Sequence, residues 1–126
     1  MYVLLDVEWA SNQIRHINST QIAALRVDAQ WNCRDRFSSL IRPRDASFHN
    51  WKHIAYSGAA PEDFLQASPL RRVLLELRDW LQKDDTLCFW SAGSEDVLQS
   101  MYRLVLKTSL PQRMVLLTES VRPLLR

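Results

Sequence analysis

Hydrophobic and polar positions in the first third of the chain follow patterns that predict three strands. Residues 2–9 open with a nearly continuous apolar run, which is typical of a strand buried on both faces. A second apolar segment at residues 21–27 and an alternating segment at residues 31–42 follow it. Because short polar stretches separate the segments, we expect the three strands to form an antiparallel meander.

The second half of the chain changes to a helical period. After an irregular stretch at residues 43–67, which predicts one or two short helices, Ser68 and Pro69 are typical of an N-cap and a first helical position. The apolar residues that follow repeat at the spacing of one buried helix face: Leu70, Val73, Leu74, Leu77, Trp80 and Leu81. We therefore expect a long amphipathic helix here.

The remaining segments complete an alternating pattern of strands and helices. Residues 86–90 predict a short strand, a helix is expected to begin at Glu95 and Asp96, and residues 113–117 predict a last strand. This order predicts an α/β fold. Its mixed sheet has three antiparallel strands first, then parallel crossovers, with helices on its faces. A length of 126 residues suits a single domain.

Composition and charge exclude only a few classes of protein. The chain is 47% hydrophobic and 24% charged, as in ordinary globular proteins, and its net charge of +2 neither indicates nor excludes nucleic-acid binding. Two glycines exclude a glycine-rich phosphate loop, and two cysteines exclude a disulfide scaffold. Lacking a signal peptide or a membrane-spanning run, the chain is expected to be cytoplasmic and without membrane contact.

Two acidic residues at the end of the first strand are the strongest candidates for chemistry. Side chains alternate along a strand, so Asp6 and Glu8 point to the same face, ~6.6 Å apart along the chain. Two carboxylates behind an apolar run are costly unless they are paired or bound to a metal ion. Their hard oxygen atoms suit Mg²⁺ or Mn²⁺. The alternative is that both carboxylates lie at a solvated strand edge.

The context of Asp6 and Glu8 resembles the DEDD-type 3′–5′ exonuclease superfamily, the proofreading and ribonuclease-T-like relatives with a ribonuclease-H-like fold. The second strand, with Gln-Ile-Ala-Ala-Leu at residues 21–25, and Pro43 after the third strand are similar to that family. The resemblance covers nearly the whole chain. It implies hydrolysis of terminal phosphodiesters at the 3′ ends of single-stranded DNA or RNA. It also implies two Mg²⁺ or Mn²⁺ ions, with Asp6 bridging both and Glu8 holding one.

The family's third carboxylate falls on Ser94 in this sequence. Serine is a poor ligand for Mg²⁺, and Ser94, Glu95 and Asp96 all remain candidates for this position. We include Asp96 among the candidate metal ligands and Ser94 among the candidate nucleic-acid contacts. The alternative is structural: Ser94 caps the helix, and Glu95 and Asp96 interact with the helix dipole.

The family's last motif, a His or Tyr shortly before a final Asp, is missing. The last aspartate is Asp96 and the last histidine is His53. We therefore expect a single exonuclease-like domain over residues 1–126 that is C-terminally incomplete, or else a naturally degenerate chain. Two functions remain open: a metal-dependent exonuclease, and a catalytically defective nuclease-fold module that binds nucleic acid or protein. The sequence does not indicate the oligomeric state.

Some other residues could contact nucleic acid or metal. Trp9 and Trp90 follow the two motif strands and would either stack on terminal bases or pack the ends of the sheet. A basic segment along the third strand would either contact phosphates or form a solvated face: Arg34, Arg36, Arg42 and Arg44. We interpret the spacing of His16, His49 and His53 as chance. Cys88, inside an apolar strand, is expected to be a buried small hydrophobic residue.

Overall fold

The computed structural model describes residues 1–9, 19–43 and 59–118. Within these residues five strands form one sheet: β1 (Tyr2–Trp9), β2 (Ser19–Val27), β3 (Cys33–Leu40), β4 (Thr86–Phe89) and β5 (Arg113–Leu116). The helices are α1 (Pro61–Leu65), α2 (Leu70–Trp80) and α3 (Ala92–Val105). None of these helices combines the length and the apolar character needed to cross a lipid bilayer.

The sheet has the strand order β3-β2-β1-β4-β5. The pairs β1–β2 and β2–β3 are antiparallel, whereas β1–β4 and β4–β5 are parallel. The predicted meander followed by parallel crossovers is therefore confirmed. β1 is the central strand. Its pairing with β2 places Asp6 opposite Ala23 and Glu8 opposite Gln21.

Helices α2 and α3 cover one face of the sheet, which we name the covered face. Val3, Leu5 and Val7 of β1 point into this core, as the alternation of strand side chains requires. The Tyr102 hydroxyl of α3 donates a hydrogen bond to the Leu74 carbonyl oxygen of α2 at 2.6 Å. Burial raises the pKa of Tyr102 well above its usual range, so this phenol remains a donor at physiological pH.

Two predicted helix starts are wrong. α2 begins at Leu70 after Pro69 as N-cap, while Ser68 forms an isolated bridge with Ile41. α3 begins at Ala92, because Ser91 is the N-cap and its hydroxyl accepts the Ser94 N–H at 3.4 Å. Ser94 is thus a buried residue of the first turn and not the cap. The apolar positions of α2 are confirmed, and the apolar Leu104 of α3 is exposed.

The second face of the sheet carries the candidate site, and we name it the open face. Helix α1 reaches this side at one corner, where Phe64 packs on Leu40. The strands point the following side chains out of the open face: Tyr2, Leu4, Asp6 and Glu8 from β1; Gln21, Ala23 and Leu25 from β2; Arg34, Arg36 and Ser38 from β3; Cys88 from β4; Arg113 and Val115 from β5.

Candidate carboxylate site

Asp6 and Glu8 lie where β1 extends past its parallel neighbour. β1 pairs with β4 as far as Leu4 and Cys88, and β4 ends one residue later at Phe89. Both carboxylates therefore lie beyond this pairing, at the carboxyl ends of the parallel strands. In open α/β sheets this is the edge at which ligands commonly bind.

The two carboxylates influence each other directly. Partial burial raises the pKa of Glu8, and a hydrogen bond with the Asp6 side chain and the negative charge of Asp6 raise it further. Both side chains nevertheless remain exposed. The expectation that Asp6 and Glu8 share one face and lie close together is thereby confirmed.

Within the described residues, neither carboxylate forms an ion pair with a basic side chain. The same residues contain no group of three His, Cys, Asp or Glu side chains that could hold a metal ion. Asp96, an exposed residue of α3, therefore does not join Asp6 and Glu8 in such a group. Its role as a third ligand stays a prediction from the sequence.

Asp6 and Glu8 have the donor chemistry that suits a hard divalent cation. Mg²⁺ keeps several of its waters in proteins and is held by one or two carboxylates together with substrate phosphates. A cation between the two side chains would also remove the repulsion that raises the pKa of Glu8. The pair therefore fits one Mg²⁺ or Mn²⁺ ion, and the described residues supply no second group of ligands.

The three candidate nucleic-acid contacts are placed differently. Trp9 is half-buried against the core, and a Cβ atom on Gly93 would lie 3.4 Å from its ring, so Trp9 packs the end of the sheet. Ser94 is buried in the first turn of α3. Trp90 is 64% exposed, and its ring is therefore accessible to a ligand.

An open groove of about 480 Å³ connects Asp6 with Trp90 across the open face. Apolar and polar side chains line this groove, among them Leu4, Ala23, Leu25, Cys88, Arg36 and Ser38. Burial raises the pKa of the Cys88 thiol, so the sulfur remains protonated and Cys88 acts as a small hydrophobic residue, as predicted.

The predicted basic segment divides into partnered and unpartnered arginines. Arg34 pairs with Asp28 at 2.9 Å, and the Arg42 Nε donates to the Ala67 carbonyl oxygen at 2.9 Å. Arg36 is exposed and forms no ion pair within the described residues. Arg44 and the histidines His16, His49 and His53 lie outside the described residues.

Sequence reasoning missed one exposed aromatic pair. Trp31 was assigned to the third strand, but it lies in the turn before β3 and stacks on Tyr2, with ring centroids 6.1 Å apart and an interplanar angle of 14°. Asp28 and Asn32 on either side of Trp31 are residue types that favour turns, and they could have indicated this turn from the sequence.

No family model and no curated protein match this chain. Solved structures do match it. A full-length 3′-exonuclease has a TM-score of 0.78 at 10% identity, over 98% of this chain and 46% of that one. Exonuclease I of E. coli in complex with a dT13 oligonucleotide has a TM-score of 0.70 at 12% identity, over 97% of this chain and 29% of that one.

A 3′-exonuclease that recognises the 3′ end of the histone mRNA stem-loop matches with a TM-score of 0.74 at 11% identity, over 97% of this chain and 61% of that one. At such identities the likeness concerns the fold alone. The chain has the α/β, ribonuclease-H-like fold of these exonucleases, as predicted. It spans between 29% and 61% of the length of these three proteins.

Proposed function

We propose that this chain forms a metal-dependent 3′–5′ exonuclease domain that hydrolyses terminal phosphodiesters of single-stranded DNA or RNA. One observation carries the proposal: Asp6 and Glu8 are adjacent, exposed and unpaired with any basic side chain of the described residues. They stand at the carboxyl end of the central strand in a sheet that exonucleases share.

In this function Asp6 and Glu8 would hold Mg²⁺ or Mn²⁺ through their carboxylate oxygens. When bound, such ions stabilise the charge of the phosphoryl oxygens and lower the pKa of coordinated water. Trp90 stacks on a base near the scissile bond, since its ring is exposed at the groove that begins beside Asp6. Arg36, on the same groove, holds a phosphate.

A second candidate is a non-catalytic module that keeps the fold and binds nucleic acid or protein. A specific observation favours it: among the described residues, no third His, Cys, Asp or Glu joins Asp6 and Glu8, and the position of the family's third carboxylate is occupied by Ser94. The two candidates differ in one measurable property, because only the first cleaves a substrate in the presence of the metal ion.

The test combines Mn²⁺ titration calorimetry with hydrolysis of a 5′-labelled oligonucleotide. We expect Mn²⁺ binding and stepwise shortening from the 3′ end for the natural chain. Asp6→Asn and Glu8→Gln should each weaken Mn²⁺ binding and lower the hydrolysis rate by at least ~100-fold. Asp79→Asn, an exposed carboxylate on α2, is the matched control and should change neither.

The outcomes separate the candidates. Mn²⁺ binding that depends on Asp6 and Glu8, without hydrolysis, selects the non-catalytic module. Hydrolysis that survives Asp6→Asn would overturn the assignment of the site. Absence of both Mn²⁺ binding and hydrolysis in the natural chain would overturn the exonuclease proposal altogether.

A further inference from the structure

The turn between β2 and β3 is held firmly by one side chain. Asp28 Oδ1 accepts hydrogen bonds from the backbone N–H groups of Gln30 and Asn32 at 2.9 and 3.0 Å. Asp28 Oδ2 accepts from Arg34 Nε at 2.9 Å, and the Asp28 carbonyl oxygen accepts from the Trp31 N–H at 3.0 Å. The backbone at Trp31 therefore has a defined conformation.

That conformation is unfavourable for a tryptophan. Trp31 has φ = 65°, in the left-handed region that bulky side chains rarely adopt. Its ring is also 63% exposed and stacks only on Tyr2 among the aromatic contacts of the described residues. A strained backbone that holds a large ring in water contributes little to folding, and such strain is concentrated at binding sites. Trp31 is therefore a candidate contact for a ligand.

The surroundings of the Tyr2–Trp31 pair are basic. In this half of the open face, the charged side chains that the described strands point outward are Arg34, Arg36 and Arg113. Asp28 partly neutralises Arg34, but Arg36 and Arg113 are exposed and form no ion pair within the described residues. Exposed aromatic rings among free arginines favour an anionic, aromatic ligand.

The pair is also continuous with the carboxylate site. Tyr2 and Asp6 point out of the same face of β1 and lie ~13 Å apart along the strand. The groove that contains Leu4, Leu25 and Arg36 lies between them. A single strand with a stacked spacing of ~3.4 Å per nucleotide would place about four nucleotides over this distance.

We propose that the Tyr2–Trp31 pair and Arg36 form a second contact for single-stranded nucleic acid, which crosses the open face from Trp90 towards the β2–β3 turn. Stacking bases and contacted phosphates account for both the rings and the arginines, which is the combination that sequence-tolerant single-strand binders use. The choice of ligand rests on the proposed function, but this contact requires neither a metal ion nor catalysis.

The test is fluorescence anisotropy with labelled oligothymidylates in EDTA, so that binding is measured without metal or hydrolysis. A probe of about twelve nucleotides spans the whole face, whereas one of about two nucleotides reaches only the carboxylate end. Trp31→Asn removes the ring and retains the turn, since Asn tolerates the left-handed conformation. Trp31→Phe retains a ring, and Leu104→Ala removes an exposed apolar side chain from α3 as a control.

We expect Trp31→Asn to weaken binding of the long probe by about 5- to 100-fold and to leave the short probe unaffected. Trp31→Phe should restore most of the affinity, and Leu104→Ala should have no effect. Arg36→Gln should weaken binding and flatten its dependence on salt, whereas Arg103→Gln on α3 should not. Thermal unfolding of each variant checks that the fold is retained.

The inference is overturned if the long probe binds equally well to the natural chain and to Trp31→Asn, or if it does not bind at all. The second result, combined with tight binding of an unrelated apolar peptide, would assign the face to a protein partner. Hydrolysis in Mn²⁺ that is lost in Asp6→Asn, together with an unchanged affinity of Trp31→Asn for the long probe in EDTA, would overturn this inference and leave the proposed function standing.

Discussion

Acidic side chains at the two ends of strand β1 differ in their burial and in their partners. Where β1 begins, Asp85 is 1% exposed, and Arg26, which is 5% exposed, approaches its Oδ2 atom at 3.0 Å from Nη2 and 3.3 Å from Nε. Where β1 ends, Asp6 and Glu8 face each other's charge without a basic partner among the described residues. The first acid is neutralised inside the fold, whereas the second pair is available to a cation from outside.

The Arg26–Asp85 pair belongs to a network that connects β2, β3 and α2 with the turn before β4. Arg26 of β2 also donates to the Trp80 carbonyl oxygen at 2.7 Å, and its guanidinium lies 4.0 Å from the centre of the Trp80 ring. The Trp80 Nε1 donates to Asp35 of β3 at 2.9 Å, and Asp85 Oδ2 accepts from the Gln82 N–H at 2.9 Å. These contacts fix the packing of α2 against the sheet, which indicates a structural role.

The largest effect is expected from breaking this network. Asp85→Ala removes the buried carboxylate that pairs with Arg26 and leaves, among the described acids, only the longer contact of Arg26 Nη1 with the exposed Asp35 carboxylate at 3.5 Å. The loss of one partner of a buried pair costs about 3–5 kcal/mol. The free energy of unfolding, measured in urea, should fall by that amount. Asp84→Ala, in the same turn but exposed, is the control and should change stability by less than ~0.5 kcal/mol.

If Asp85→Ala lowers the free energy of unfolding as little as Asp84→Ala does, Arg26 has found another partner in the variant. The acids at the two ends of β1 would then not differ in the way described. A double variant, Arg26→Met with Asp85→Leu, sharpens the test. Replacing both charges by apolar residues is often neutral, so the double variant should recover much of the stability lost in Asp85→Ala.

A smaller and pH-dependent effect is expected at Asp28. Hydrogen bonds from the backbone N–H of Asn32, then of Gln30, and the guanidinium of Arg34 hold the pKa of Asp28 below its usual value of 3.8. An acid whose pKa is lowered by folding stabilises the fold above that value, and the stabilisation is lost as the pH falls through the lowered pKa. Asp28→Ala should therefore be less stable than the natural chain at neutral pH.

The difference between Asp28→Ala and the natural chain should shrink as the pH is lowered below 3.8. Thermal unfolding midpoints across the acid range measure it. A difference that is independent of pH would show that the carboxylate charge does not contribute. Asp63→Ala, which removes a carboxylate that accepts the Ala60 N–H in α1, provides a comparison for the loss of a backbone contact without an arginine partner.

The fold could be predicted because its signals are local. The alternation in β1 and the helical period in α2 are readable within a few residues, and handedness rules then order the parallel strands. The same alternation predicted that Asp6 and Glu8 share a face. The start of α3 was predicted too late because acidic residues such as Glu95 and Asp96 favour a first helical turn, whereas the helix begins at Ala92 with Ser91 as its cap.

The Arg26–Asp85 pair and the conformation of Trp31 depend on contacts that no local sequence pattern predicts. Arg26 and Asp85 are far apart in sequence, and only the completed sheet brings them together. Trp31 was predicted to begin a strand because apolar and polar residues alternate from residue 31 onward. In the structure Trp31 has φ = 65°, in a turn that the Asp28 side chain holds through hydrogen bonds. A residue that contradicts its own local preference is a place where sequence reasoning is expected to fail, and such places are often functional.

The smallest expected effect is a gain in stability, and it concerns Glu8 at the exposed end of β1. Glu8→Gln removes one of two neighbouring negative charges while keeping the shape and the hydrogen-bonding capacity of the side chain. Because partial burial and, to a smaller extent, the charge of Asp6 disfavour the ionised form of Glu8, the variant should be slightly more stable than the natural chain in EDTA. The gain should be below ~1 kcal/mol, since both groups are exposed and screened.

In Mn²⁺ the order of stability of the two proteins should reverse, because the natural chain binds the ion more tightly and is stabilised by that binding. Unfolding in urea with EDTA and with Mn²⁺ measures both signs. If Glu8→Gln is destabilised in EDTA, the carboxylate contributes to the fold as Asp85 does, and the two ends of the sheet do not differ in the way described.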